Sequence, residues 1–136
     1  MDVLKIDEIT TLMVRYADGF ARDPSSTADF YALPMIYIGP ETVSVICTRA
    51  GAVAFVKRIV ARLRPNGFTH TTVENCAVNL TRSSIALCTI DGTRRRADGT
   101  AIERIRGVYV LTAHPHWRIR GLIAADPDEM SPQLDT

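Results

Sequence analysis

Apolar residues recur at three- and four-residue steps near the start of the chain. Ile6, Ile9, Met13, Tyr16 and Phe20 fall on one stripe, and the spacing predicts an amphipathic helix from Leu4 to Ala21. Asp23 before Pro24 is a cap followed by a first-turn proline, which opens a second, short helix. That helix must finish before Pro34, because a proline pushes its predecessor out of the helical region. Met35 to Ile38 is then extended, Gly39-Pro40 turns, and the β-branched run TVSVIC at 42–47 predicts a strand. Thr48 caps a third helix with Val53, Val56, Ile59, Val60 and Leu63 on its inner face, and Pro65-Asn66-Gly67 stops it.

Beyond Phe68 the pattern becomes strand, turn, strand. Thr81-Arg82, or a slightly longer loop, joins the first pair of strands. Asp98-Gly99 is the strongest hairpin signal in the chain, and His114-Pro115 occupies the third turn. With Asp98 and Gly99 at the apex, Arg96 faces Ala101, Arg94 faces Glu103, Asp91 faces Arg106 and Leu87 faces Val110. Two opposite-charge pairs thus fall directly across from each other, which supports a register set by the turn alone.

Alternation sorts the strands into two faces. One collects Cys76, Val78, Leu80, Ile85, Leu87, Val108, Val110, Trp117 and Ile119, with His70, Glu74, Asp91, Arg104 and Arg106 at one end. The other holds Ala77, Ala86, Cys88, Ile90, Tyr109, Leu111 and Leu122 beside Arg118 and Arg120. The first face, with Trp117 and the denser apolar cluster, is expected to lie under the helices. Its charges must then pair or border a solvated pocket, since an unpaired buried charge costs several kcal/mol. The second face is too apolar for water and is expected to be covered by a second copy of the chain. Cys76 and Cys88 are expected on opposite faces, which argues against a disulfide between them.

Composition narrows the class. The chain has 136 residues, 46% of them hydrophobic, enough for one core and one domain. Lys and Arg number 16 against 15 Asp and Glu, so no net field points to nucleic acid or an acidic membrane. No apolar run approaches a membrane span, and the acidic start MDVLKIDEIT lacks the blocks of a secretory signal, so a cytoplasmic location is expected. Three cysteines, Cys47, Cys76 and Cys88, show no metal-ligand spacing and read as reduced thiols. The expected division is one domain over 1–126 and a loosely held acidic tail over 127–136.

The order of elements, the segment GVYVLTAHPHWRI and the closing GLIAADP resemble the nuclear transport factor 2-like superfamily, which includes SnoaL-like polyketide cyclases and ketosteroid isomerases. Bacterial members without an assigned function are the most similar branch. The resemblance covers roughly Leu4 to Asp126. It implies an α+β cone, with a curved antiparallel sheet wrapped around three N-terminal helices in the cystatin-like manner. It also implies an interior pocket and a homodimer through the outer sheet face.

That superfamily reuses one scaffold for many tasks. The reading expected here is a pocket for a small apolar molecule, with cofactor-free acid–base chemistry such as isomerisation, cyclisation, dehydration or epoxide opening. The alternative is a non-catalytic binding or dimerisation module with a structural polar cluster. Tyr16 matches the pocket tyrosine of superfamily enzymes, or is a core tyrosine. Asp91 or Glu74 is the candidate base. Asp91 with Arg106 is similar to the acid–arginine arrangement of limonene epoxide hydrolase-like members, or is a cross-strand salt bridge. His70 is a candidate general base beside Glu74, or a solvated residue at the start of a strand. Met13, Phe20, Val56, Val108 and Trp117 are the expected apolar wall. His114 and His116 flank a turn and predict no metal, and Arg94-Arg95-Arg96 reads as a solvated arm rather than a nucleic-acid surface.

Overall fold

The computed structural model describes residues 2–125; the acidic tail expected over 127–136 lies outside the described residues. Helix α1 spans Asp2–Gly19 and buries Ile9, Met13 and Tyr16, with Phe20 buried just beyond its end. Asp23 caps α2 (Pro24–Thr27) by accepting from the Ser26 N–H. A 3-10 turn over Ala28–Phe30 leads into β1 (Tyr31–Ile38), and β2 (Val43–Ile46) pairs back on it. Thr48 caps α3 (Arg49–Leu63) through its hydroxyl to the Gly51 N–H. Gly67 closes the following 3-10 turn at a φ of 86°, a conformation that favours glycine.

The strands β3 (Phe68–Arg82), β4 (Ile85–Arg96), β5 (Ala101–Ala113) and β6 (Trp117–Ala125) form the long meander. The six-stranded sheet runs β2-β1-β6-β5-β4-β3, with β1 parallel to β6 and the other pairs antiparallel. Strand β1 starts at Tyr31, earlier than the expected Met35, and Pro34 sits where the β1–β6 ladder is interrupted, so its missing N–H breaks nothing. The architecture is the α+β one expected: a curved open sheet with helices on one face. Among the described residues no helix is long and apolar enough to cross a membrane.

The hairpin register holds for Arg94–Glu103, Asp91–Arg106 and Leu87–Val110; a bulge after Arg94 moves Ala101 opposite Arg95 instead of Arg96. The assignment of faces is corrected for β4 and β5. Ala86, Cys88, Ile90, Tyr109 and Leu111 are buried under the helices, whereas Leu87 is 40% exposed and Val108 and Val110 are only half-buried on the other side.

The reason is irregularity at two places. A bulge at Arg120 in β6 puts Ile119 opposite Leu111 but Leu122 opposite Tyr109, so residues of both parities face the core. Trp117 and Ile119 therefore do face the helices, but unbroken alternation carries the wrong residues of β5 and β4 in with them. A second irregularity, between Leu80 and Arg82 in β3, sets Cys76, Val78 and Leu80 in line with Ile90, Cys88 and Ala86. Cys76 and Cys88 are consequently on the same face, with their sulfurs 3.4 Å apart, and both are free thiols.

Candidate functional site

Helix α1 places Tyr16 at the centre of an aromatic cluster. Phe20, Phe30, Tyr31 and Tyr109 each approach its ring edge-on with centroids 5.7 Å away, the arrangement that aromatic quadrupoles favour. The Tyr16 and Tyr31 hydroxyls are 2.7 Å apart, and Tyr109 also engages the Tyr16 hydroxyl. Burial pushes Tyr16, Tyr31 and Tyr109 above the ordinary phenol range, and a nearby Arg94 only partly offsets this for Tyr16 and Tyr109. These hydroxyls stay protonated near neutral pH, so they can donate hydrogen bonds or protons but do not serve as phenolate bases.

Beside this cluster a cavity of about 680 Å³ opens between α1, α3 and the sheet, within the range typical of small-molecule sites. Phe20, Tyr37, Ile59, Ile90, Ile105 and Leu122 supply apolar wall, and Tyr16, Tyr109, Arg94, Glu103 and Arg62 supply polar groups. Arg94 donates from Nη1 to Glu103 Oε2 at 2.7 Å, with only 15% of its side chain exposed. Arg62 of α3 reaches the same carboxylate oxygen at 3.6 Å. One carboxylate is thus shared by two guanidiniums at the cavity wall.

Of the sequence candidates, Tyr16 and Phe20 line this cavity, and Arg106 belongs to its wall at the sheet end. Met13 and Val56 are fully buried in the core, Trp117 is 6% exposed, and none of the three lines the cavity. Val108 lies half-buried on the outer face. Arg106 donates from Nε to Asp91 Oδ1 at 2.5 Å, and both residues occupy the register positions turned away from the helices. That orientation follows from Gly107, whose missing Cβ would point at the inward Tyr109 ring. Glu74 accepts from Thr93 Oγ1 at 2.8 Å and pairs with Arg95, at the edge of a separate groove between α1 and β3. His70 is exposed, with Nδ1 2.8 Å from Thr69 Oγ1. The structure brings Asp91 to Arg106 and sets Arg106 in the same cavity wall as Tyr16, but joins neither Asp91 nor Arg106 to Glu74 or His70.

The groups that sequence reasoning missed are Arg94, Glu103, Arg62, Tyr37 and Tyr109. The signal for the first two was present: the register already pairs them. Within Arg94-Arg95-Arg96, however, alternation sends neighbours to opposite faces, with Arg94 inward to Glu103 and Arg95 outward to Thr72 and Glu74. Treating the run as one solvated arm hides this.

The fold is shared with solved structures. An NTF2-like protein with a cystatin-like fold from Novosphingobium aromaticivorans superposes with a TM-score of 0.77 at 16% identity, covering 98% of this chain and 90% of that one. A domain of unknown function with a cystatin-like fold from Nostoc punctiforme gives 0.69 at 17% identity, covering 95% and 83%. Aln2 from a Streptomyces species gives 0.71 at 13% identity, covering 98% and 97%. No curated protein matches the chain. The sequence model described as NTF2-like protein (DUF6841) matches residues 6–127. With that match running from the first helix to the end of the last strand, the chain belongs to the NTF2-like proteins.

Proposed function

We propose that the cavity between α1, α3 and the sheet binds a small, largely apolar molecule whose polar end meets Tyr16, Tyr109 and the Arg94–Glu103 pair. The observation that carries this reading is the conjunction of an apolar-walled space of about 680 Å³ with hydroxyl donors held neutral by burial. Turnover on such a site is acid–base work without a cofactor. The neutral tyrosines donate to an oxygen that gains negative charge, and Glu103, the acidic residue of the cavity wall, accepts a proton.

A second copy of the chain completes the picture. Two cross-strand rows run over the outer face: Leu87, Val110, Gly121, Ile36 and Val45, and beside them Val108, Ile123, Ile38 and Val43. Val43 and Val45 are 69% and 62% exposed, and a contiguous apolar surface of this kind marks an association face. These rows support a homodimer through the outer face.

The test is thermal denaturation with a panel of naphthols, steroids and terpene alcohols, followed by incubation of any binder in deuterated water. Binding raises the melting temperature of the wild type but not of Ile105→Trp, whose larger ring fills the cavity. Proton exchange at an acidic C–H of the binder marks turnover. A panel without one stabilising member refutes the binding reading.

A further inference from the structure

We propose that Cys76 and Cys88 form a redox-active dithiol, which a hydroperoxide converts reversibly into a disulfide linking β3 to β4. The bulges in the meander bring the two sulfurs to one face at 3.4 Å, a gap that a modest side-chain rotation and a small strand movement close to bonding distance. The two thiols differ in access, as an oxidant-sensing pair requires. Cys76 borders the groove of about 440 Å³ between α1 and β3, beside Thr10, Val14 and Val73, so a small peroxide reaches it. Cys88 is fully buried, so it meets no oxidant except through Cys76.

Their acidities divide the same way. The hydrogen bond between the two sulfurs, in which either can donate, lowers the Cys76 thiol to about 7, while the same bond and burial push the Cys88 thiol up. Thiolate is therefore available at the accessible sulfur, although the groove also carries Asp18 and Glu74, whose carboxylates oppose it.

The chemistry balances in two steps. The Cys76 thiolate attacks the distal peroxide oxygen, the O–O bond breaks, and the product is Cys76 sulfenic acid with hydroxide or alkoxide as leaving group. Cys88 then attacks the sulfenic sulfur, the S–O bond breaks, and the departing hydroxide takes the Cys88 proton as water. Two thiols lose two electrons and the hydroperoxide gains them. A low-molecular-weight thiol reverses the bond by exchange. Cys76 faces Ile90 and Cys88 faces Val78, so the pair is diagonal across the ladder. Diagonal neighbours lie farther apart than ordinary disulfide partners, so closing the bond strains the strands and keeps it reducible. Cys88 also stands opposite Tyr109 of the cavity wall, but the proposal is independent of any ligand there.

The experiment uses the full chain with Cys47→Ser, which removes the exposed thiol, and hydrogen peroxide as the oxidant. Intact mass of the native protein should fall by two hydrogens. Trypsin cleaves after Arg82, between the two cysteines, and should release their peptides joined to each other and separable by a thiol reductant. Cys88→Ser should leave a Cys76 sulfenic acid that dimedone traps, and Cys76→Ser should slow oxidation of Cys88 by about tenfold or more. The proposal is overturned if both thiols stay reduced in the native state and oxidise only in urea, or if oxidation joins one chain to another instead.

Discussion

Raising the pH should unfold this protein along an unusually steep line, because Tyr16, Tyr31 and Tyr109 are buried together and hold their protons above the ordinary phenol range. In the unfolded chain each ionises near pH ~10. The folded-state values are raised, so the full stability is present below that pH and is lost as pH climbs toward the folded values. Over this window these three tyrosines leave the unfolded state three protons short of the folded state. Each missing proton costs about 1.4 kcal/mol per pH unit, so the slope is about 4 kcal/mol per unit. A domain with an ordinary stability of about 5–15 kcal/mol is exhausted within roughly one to four pH units. The assay is urea unfolding by far-ultraviolet circular dichroism at steps between neutral pH and the alkaline limit, with tyrosinate absorbance followed in parallel. In a Cys76→Ser, Cys88→Ser background, which removes the two shifted thiols, stability should stay flat up to about pH 9.5, and tyrosinate should appear together with unfolding. Tyr31→Phe should cut the slope by about one third. A slope of one proton or less, or tyrosinate forming in a still-folded chain, refutes the buried-hydroxyl reasoning.

The same hydroxyls should be coupled. Tyr16→Phe strands the Tyr31 hydroxyl, which is 3% exposed, and should cost about 1–3 kcal/mol. Adding Tyr31→Phe removes the orphan, so the double variant should lose about 1 kcal/mol less than the sum of the singles in urea unfolding; additivity refutes the pairing. In Gly107→Ala the new Cβ sits 2.8 Å from Cε1 of Tyr109, and the expected cost is about 1–3 kcal/mol. A Tyr109→Leu background should remove most of that cost, and an equal cost in both backgrounds would mean that the clash lies elsewhere. Leu87→Glu, at the β4 end of one outer row and 40% exposed, should give a folded monomer in sedimentation under conditions where the proposed wild-type dimer forms. A variant that still sediments as a dimer refutes the outer face as the interface.

Local signals made most of the fold legible. Asp23-Pro24, Thr48 and Gly67 each act through one side chain or one backbone angle; the first two start helices and the third closes the turn after one, where the sequence says they should. The Asp98-Gly99 turn likewise located three cross-strand pairs, because the bulge after Arg94 offsets the one-residue difference in pairing beside the apex. The site was less legible because it depends on which face of each strand is inward. That property changes sign with one inserted residue. Arg120 and Thr81 have no sequence mark that distinguishes a bulge from an ordinary strand position. Trp117, the largest apolar residue of its strand, was a sound guide to its own neighbourhood and a misleading one across the bulge. Tyr109 escaped for the same reason, and Arg94 was hidden in a run of like residues.

The two charged pairs on the β4–β5 ladder show what that inversion does to chemistry. Arg94–Glu103 and Asp91–Arg106 are three residues apart on each strand, an odd number, so one pair faces the helices and the other faces away. The inward pair has access to the cavity and a third charge, Arg62, to modulate it. The outward pair lies next to the apolar rows, with side-chain exposures of 13% for Arg106 and 23% for Asp91. Burial at this level costs free energy that only the partner charge restores. Arg106 Nη1 is already buried without a hydrogen-bond partner among the described residues. Asp91→Ala should therefore cost about 1–3 kcal/mol, and Asp91→Ala with Arg106→Met should recover most of it, because replacing both members removes the stranded charge. Binding of a cavity ligand should be retained in the double variant, because Arg106 contributes to the cavity wall only at its sheet end. A loss of affinity with stability intact would move the functional pair back to Asp91 and Arg106.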